Sequence, residues 1–138
     1  METLYTREIL RLALGLEGSR LDKPDVSVTK HSRVCGSTIT IDVNLKAGRV
    51  SNFGAEVKAC ALGQASTAIV EKQVFGKTWA DLNPVYQELQ NLLAGKTEDF
   101  PAEWKELEVF VSAQQHKARH SAILLPFKAL EEAFKNKS

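Results

Sequence analysis

The chain has little cysteine: Cys35 and Cys60 are the only two in 138 residues. Two thiols cannot build a disulfide framework or a four-cysteine zinc ribbon. No apolar run approaches the ~20 residues that a membrane-spanning helix needs, so no membrane role is expected. The opening METLYTREILRL mixes acids and bases where a secretory leader has a basic start and an apolar run. A cytoplasmic location follows as the expectation, with both thiols reduced. Charge of one sign is also missing. Eighteen Lys and Arg against 17 Asp and Glu leave a net charge of +1, which gives no electrostatic case for nucleic acid or an anionic membrane. Phosphate-binding loops, G-x-G-x-x-G and a nucleophile elbow are absent. Glu71, Asp81, Glu88, Glu103, Glu106 and Glu108 fall on solvated helix faces, and Ser37, Ser66 and Ser121 lack the flanking residues of an activated serine. An ordinary enzyme is therefore not expected.

What is present fits one globular domain over residues 1–138: 43% of residues are hydrophobic and 25% charged. Tyr5, Ile9, Leu12 and Leu16 recur at helical spacing and predict a helix over Leu4–Leu16. Val26 and Val28 alternate with polar residues within Asp25–Val34. Thr38–Leu45 alternates strictly: Ile39, Ile41, Val43 and Leu45 face the core, and Thr38, Thr40, Asp42 and Asn44 face water. Lys46-Ala47-Gly48-Arg49 supplies a turn, and the strand returns with Phe53, Ala55, Val57 and Ala59 inward. Gly36 and Gly54 mark a bulge or a close backbone approach. From Cys60 onward the pattern turns helical. An alanine stripe at Ala61, Ala65 and Ala68 leads to Gly76. A helix start is expected at Asn83-Pro84, with Gly95 closing that helix. Phe100, Trp104, Leu107 and Val111 predict another helix. Gln114–Leu124 predicts one more, and Pro126 a break before the last helix to Phe134. The expected class is α+β: a three-stranded antiparallel sheet packed against about five to six helices.

Chemistry concentrates where the third strand runs into Cys60. A thiol in the first turn of a helix meets unpaired N–H groups and the positive end of the helix dipole, and both favour thiolate. Thiolate is the form that binds metal and attacks sulfur. Cys35, in VCGS, also stands at a strand end. The alternative is that both are small buried hydrophobes. His31 reads as a surface strand residue. His116 and His120, four apart, share a face if Gln114–Leu124 is helical, a spacing that suits one zinc or iron ion. Lys117 and Arg119 beside them fit a solvated basic face equally.

The order of motifs carries a resemblance. V-C-G-S opens an alternating strand, a glycine hairpin returns through F-G-A-E-V-K-A-C-A-L-G-Q-A-S-T, and K-A-R-H-S-A-I-L-L-P-F-K-A-L-E-E-A follows much later. This resembles the U-type iron–sulfur cluster assembly scaffolds, the IscU/SufU/NifU N-terminal family, over about residues 3–135. The resemblance implies a three-stranded antiparallel sheet with helices. It implies a transient [2Fe–2S] cluster, or zinc in some branches, with sulfur supplied by a cysteine desulfurase and the cluster passed to apo iron–sulfur acceptor proteins. The implied ligands are Cys35 for the first family cysteine, Cys60 for the second and His120 for the histidine before the third. Ser37 stands in place of the family aspartate and Ser121 in place of the third cysteine; these two and His116 are further candidate donors.

The two replacements matter because a [2Fe–2S] cluster takes four protein ligands, mostly thiolates. Cys35, Cys60 and His120 supply three, so a labile cluster, or none in an isolated monomer, is expected, with a serine, His116 or a molecule from outside as the fourth ligand. Three readings follow: a scaffold or carrier for nascent clusters; a zinc-binding sulfur acceptor, akin to a sulfurtransferase, with Cys35, Cys60, His120 and water around the metal; or a regulatory binding partner without metal chemistry.

Overall fold

A computed structural model describes residues 4–96 and 99–137. The elements run α1 (Arg7–Leu14), β1 (Val26–His31), β2 (Thr38–Lys46), β3 (Arg49–Lys58), α2 (Ala61–Gln73), α3 (Trp79–Leu93), two 3₁₀ segments (Ala102–Ala113 and Lys117–Arg119) and α4 (His120–Lys137). The strands form one antiparallel meander in the order β1-β2-β3. This is the expected α+β arrangement.

Local chemistry sets the joints. β2 and β3 are closed by Ala47 and Gly48, both at positive φ (55° and 75°), as a two-residue hairpin turn requires. A bulge lies at Asn44/Leu45 and swings Val50 into the core. Gly54 is not a bulge but a close approach. A Cβ there would stand 2.5 Å from the Ser19 carbonyl, and Ala55 N–H donates to that same carbonyl at 3.0 Å. Only glycine lets the segment after α1 lie against β3.

The sheet buries Val28, Ile39, Ile41, Val43, Phe53 and Ala55. α4 packs across β1 and β2 with Ile123, Phe127 and Leu130 inward, and α2 lies between α1, β3 and α4. Gly63 brings α2 close to α4, because a Cβ would meet Ala59 at 2.8 Å and the Ala122 carbonyl at 3.5 Å.

Several elements depart from the sequence expectation. α1 begins only after Thr6, whose Oγ1 accepts from Ile9 N–H, so Tyr5 precedes the helix. α3 begins at Trp79, not at Asn83-Pro84. Thr78 and Asp81 form a reciprocal capping box, which holds the start one turn earlier and leaves Pro84 inside the helix on an exposed position. The stretch Ala102–Ala113 is 3₁₀. Its buried residues are Trp104, Leu107, Phe110 and Ala113, a spacing of three, which is the 3₁₀ period; Phe110, not Val111, faces the core. Gln114–Leu124 is not one helix. A turn and a short 3₁₀ segment lead into α4, which runs unbroken through Pro126. Pro126 offers no N–H to the Ala122 carbonyl. The helix persists because Pro126 is itself buried against the core side and Ser66 Oγ donates to the neighbouring Ile123 carbonyl at 2.6 Å.

Asp42 overturns the expectation of a wet outer face. It is fully buried, and its carboxylate accepts from Arg20 Nε (2.6 Å) and Nη2 (3.1 Å), from Leu21 N–H (3.0 Å) and from Ser27 Oγ (2.5 Å). The segment between α1 and β1 covers that face of the sheet.

Candidate functional site

Cys35 lies in the loop between β1 and β2. Two backbone hydrogen bonds fold the loop on itself: Ser32 N–H to the Ser37 carbonyl (2.8 Å) and Gly36 N–H to the Ser32 carbonyl (2.9 Å). Gly36 takes φ 73° to allow it. The loop thereby turns three side chains toward one point. Cys35 Sγ is 3.1 Å from Ser37 Oγ and 3.3 Å from Ser32 Oγ, and Ser121 Oγ, from the first turn of α4, is 3.9 Å away. Ser32 and Ser121 Oγ are themselves 2.5 Å apart.

Each hydroxyl has one proton to give. The Cys35 thiol donates to Ser32 Oγ, and in the Ser32–Ser121, Cys35–Ser37 and Cys35–Ser121 contacts either partner can be the donor, so Ser37 and Ser121 can each turn a hydroxyl proton to the sulfur. Burial pushes the Cys35 thiol up. The hydrogen bonds from Ser32, Ser37 (side chain and backbone) and Ser121 outweigh it and bring the thiol down to about 7.

Cys60 is the N-cap of α2, as expected, with extended backbone (φ −67°, ψ 172°). Where Ser, Thr, Asp or Asn would cap the helix with oxygen, the Cys60 sulfur makes no capping hydrogen bond and stays available. Gln64 steadies the joint by donating Nε2–H to the Ala59 carbonyl at 2.9 Å. Tyr5 stands next to this thiol. Burial raises its phenol pKa, and the Cys60 sulfur beside it raises it further; Arg119 pulls it down, and Cys35 adds a smaller upward push. Tyr5 is thus a hydrogen-bonding neighbour of Cys60 and feels the charges of Arg119 and Cys35.

His120 opens α4. Its Nε2 lies 2.8 Å from the Ala113 carbonyl, and a carbonyl only accepts, so that nitrogen is the donor and Nδ1 faces away from this bond. The ring also lines a cavity of about 630 Å³ with Gln90, Leu93, Gln114, Gln115 and Lys117. His116 is exposed and precedes the short 3₁₀ segment. The common helix face expected for His116 and His120 does not form. His31 pairs with Thr38 across β1 and β2 at the surface (Nδ1–Oγ1 3.0 Å).

The structure therefore gathers Cys35 with Ser37 and Ser121, as two of the expected donors, and adds Ser32 and Tyr5, which sequence reasoning missed. Ser32 carries no sequence signal at all. Tyr5 read as one more residue of an amphipathic helix. Among the described residues, no three of His, Cys, Asp and Glu are gathered closely enough to hold a metal ion. The serine hydroxyls are hydrogen-bond partners of the sulfur here. A hydroxyl would have to lose its proton to serve as a ligand. A closed resident zinc site within one chain does not fit this donor set, and no chemistry is derived through one.

No protein-family model matches the chain, and no curated protein matches it. Solved structures do. A nitrogen-fixing NifU-like protein (N-terminal) from Brucella abortus superposes with a TM-score of 0.90 at 33% identity, covering 96% of this chain and 92% of that one. An iron–sulfur cluster assembly scaffold protein for the SUF system from Fervidobacterium islandicum superposes with a TM-score of 0.85 over 95% of this chain and 96% of that one; at 22% identity it bears on the fold alone. A third of the residues identical over nearly the whole of both chains, on the fold that the motifs implied, places this chain in the IscU/NifU/SufU family as a relative of the NifU-like N-terminal domains.

Proposed function

We propose that this protein is an iron–sulfur assembly scaffold or carrier whose first task is to accept sulfur at Cys35. The observation that carries the reading is the hydroxyl cage that favours thiolate at Cys35 close to neutral pH. The likeness to the NifU-like protein supports it.

The step balances simply. The Cys35 thiolate attacks the outer sulfur of a persulfide on the active cysteine of a cysteine desulfurase. A sulfur–sulfur bond forms at Cys35, the donor's sulfur–sulfur bond breaks, and its electron pair stays on the donor cysteine as thiolate. Ser32 and Ser37 hold the attacking anion in place, and Cys60 stands as the second thiol. Iron and sulfide, as [2Fe–2S], are cargo. Cys35 and Cys60 are the thiols of this chain that would hold it, with the remaining positions taken from an apo acceptor protein or another outside molecule, or from His120 after a rearrangement that draws its ring toward the thiols. A labile cluster suits a protein that must give it away.

Anaerobic reconstitution with ferrous iron and sulfide tests the carrier reading: visible absorption in the parent and none in Cys35→Ser or Cys60→Ser is expected. A featureless spectrum in the parent would remove it. The sulfur-acceptor reading is separable. Incubation with a desulfurase and cysteine should add 32 Da to Cys35 in the parent and not in Cys35→Ser, with no metal present.

A further inference from the structure

His120 borders a cavity of about 630 Å³ where three stretches of chain meet. Gln90 and Leu93 line it from the end of α3, Gln114, Gln115 and Lys117 from where the two 3₁₀ segments join, and His120 and Leu124 from the start of α4. Its volume lies within the ~300–1,000 Å³ of small-molecule sites. Neither thiol borders it, so the sulfur-accepting step does not use this space.

Two side chains of the lining are held without a ligand. Gln114 Nε2–H donates to the Leu92 carbonyl at 2.7 Å, and His120 Nε2–H donates to the Ala113 carbonyl at 2.8 Å. A ligand need not order them, which lowers the entropy cost of binding. Three more polar side chains stand open. Gln90, Gln115 and Lys117 make no side-chain hydrogen bond or ion pair with any described residue. Each glutamine amide offers a carbonyl acceptor and N–H donors, the complement of a peptide group. Lys117 brings a positive charge, and among the described residues no carboxylate borders the cavity, so an anion is favoured over a cation. Buried Leu93 and half-buried Leu124 supply an apolar side. We infer that the cavity is a binding site for a small carboxylate that also carries an amide group and an apolar side chain, the class of the N-acylated amino acids. The carboxylate pairs with Lys117, the amide lies among Gln90, Gln114 and Gln115, and the side chain rests on Leu93 and Leu124. The sulfur-acceptor reading can fail without touching this inference.

Amide resonances of the isotope-labelled full chain, followed during titration with N-acetyl-leucine, test it. Saturable shifts are expected at the side-chain amides of Gln90 and Gln115 and at the His120 backbone N–H. The uncharged N-acetyl-leucinamide should bind roughly tenfold more weakly, and Lys117→Glu should weaken N-acetyl-leucine at least as much. Lys128→Glu makes the same charge change at an exposed α4 position outside the lining and should bind as the parent does. Absence of saturable shifts in the parent overturns the inference. Equal binding of the charged and uncharged ligands, or equal binding by the parent and Lys117→Glu, overturns it as well. Inorganic phosphate held as tightly as N-acetyl-leucine would leave a bare anion site with no use for amide or side chain, and the proposed ligand class would be wrong. Equal weakening in Lys128→Glu and Lys117→Glu also defeats it, because diffuse charge then explains the attraction. The two-ligand comparison uses the parent alone, so a Lys117→Glu variant that unfolds early does not blunt the test.

Discussion

Ser32 Oγ and Ser121 Oγ lie 2.5 Å apart although 89 positions separate them in the chain. The contact ties the β1–β2 loop to the first turn of α4, and both hydroxyls reach Cys35. Ser121 is thereby joined to the group of hydroxyls around the sulfur.

The hydroxyl cluster around Cys35 predicts a pH profile. Peptide-resolved alkylation of Cys35 should be half-maximal near pH 7. Ser37→Ala and Ser32→Ala should each move the midpoint toward the ordinary thiol value of ~8.5. The sign for stability follows. A thiol held lower in the fold than in the unfolded chain stabilises the fold above the unfolded value, and that contribution is lost as pH falls through about 7. An unshifted midpoint in both variants would show that the hydroxyls do not hold the anion.

Asp42 predicts an acid sensitivity. Burial pushes its carboxyl up, but Arg20, Ser27 and the Leu21 N–H together hold it below the usual carboxylate range. Its contribution is therefore full above the unfolded value of ~3.9 and lost as pH falls below that. Arg20→Met leaves a buried carboxylate without its cation. Because Arg20 is partly exposed, a moderate loss of stability is expected at pH 7, with acid unfolding moved to higher pH. Urea titrations at pH 7 and pH 4 read both effects, and a variant as stable as the parent at both would contradict them.

Gly54→Ala should destabilise. The new methyl would sit 2.5 Å from the Ser19 carbonyl and 3.0 Å from Leu21 N, both backbone atoms that cannot swing aside. A loss of about 1–3 kcal/mol is expected. The crowded segment also carries Arg20, so hydrogen exchange at Leu21 should quicken in the same variant.

Ala47→Asn should do the opposite. Ala47 holds φ 55°, a left-handed conformation that asparagine adopts more readily, and Asn-Gly is the preferred pair in this turn. A gain of about 0.5–1 kcal/mol is expected, read as a higher urea midpoint with an unchanged slope.

Much of this molecule was legible in the order of its residues. The period-two runs in β2 and β3 could bury only one row of apolar side chains each, so the meander followed. Cys60 at the strand-to-helix joint followed from the switch in period at that point. Pattern failed where two signals competed. Asn83-Pro84 hid the stronger Thr78–Asp81 box, and Pro126 suggested a break that buried neighbours prevent. The spacing of three in Trp104, Leu107, Phe110 and Ala113 was present in the sequence, but a 3.6-residue reading picked Val111 instead.

The sequence by itself determined the sheet, the element order and the placing of the two thiols in the connections that follow β1 and β3, because each depends on neighbours within a few residues. Tertiary structure alone decided what surrounds those thiols. Ser121 reaches Cys35 from α4, Tyr5 stands beside Cys60 from ahead of α1, and Arg20 crosses the sheet to Asp42. A hydroxyl or a phenol carries no spacing that announces a distant sulfur. Its role exists only once packing of the helices on the sheet has fixed where each chain segment lies.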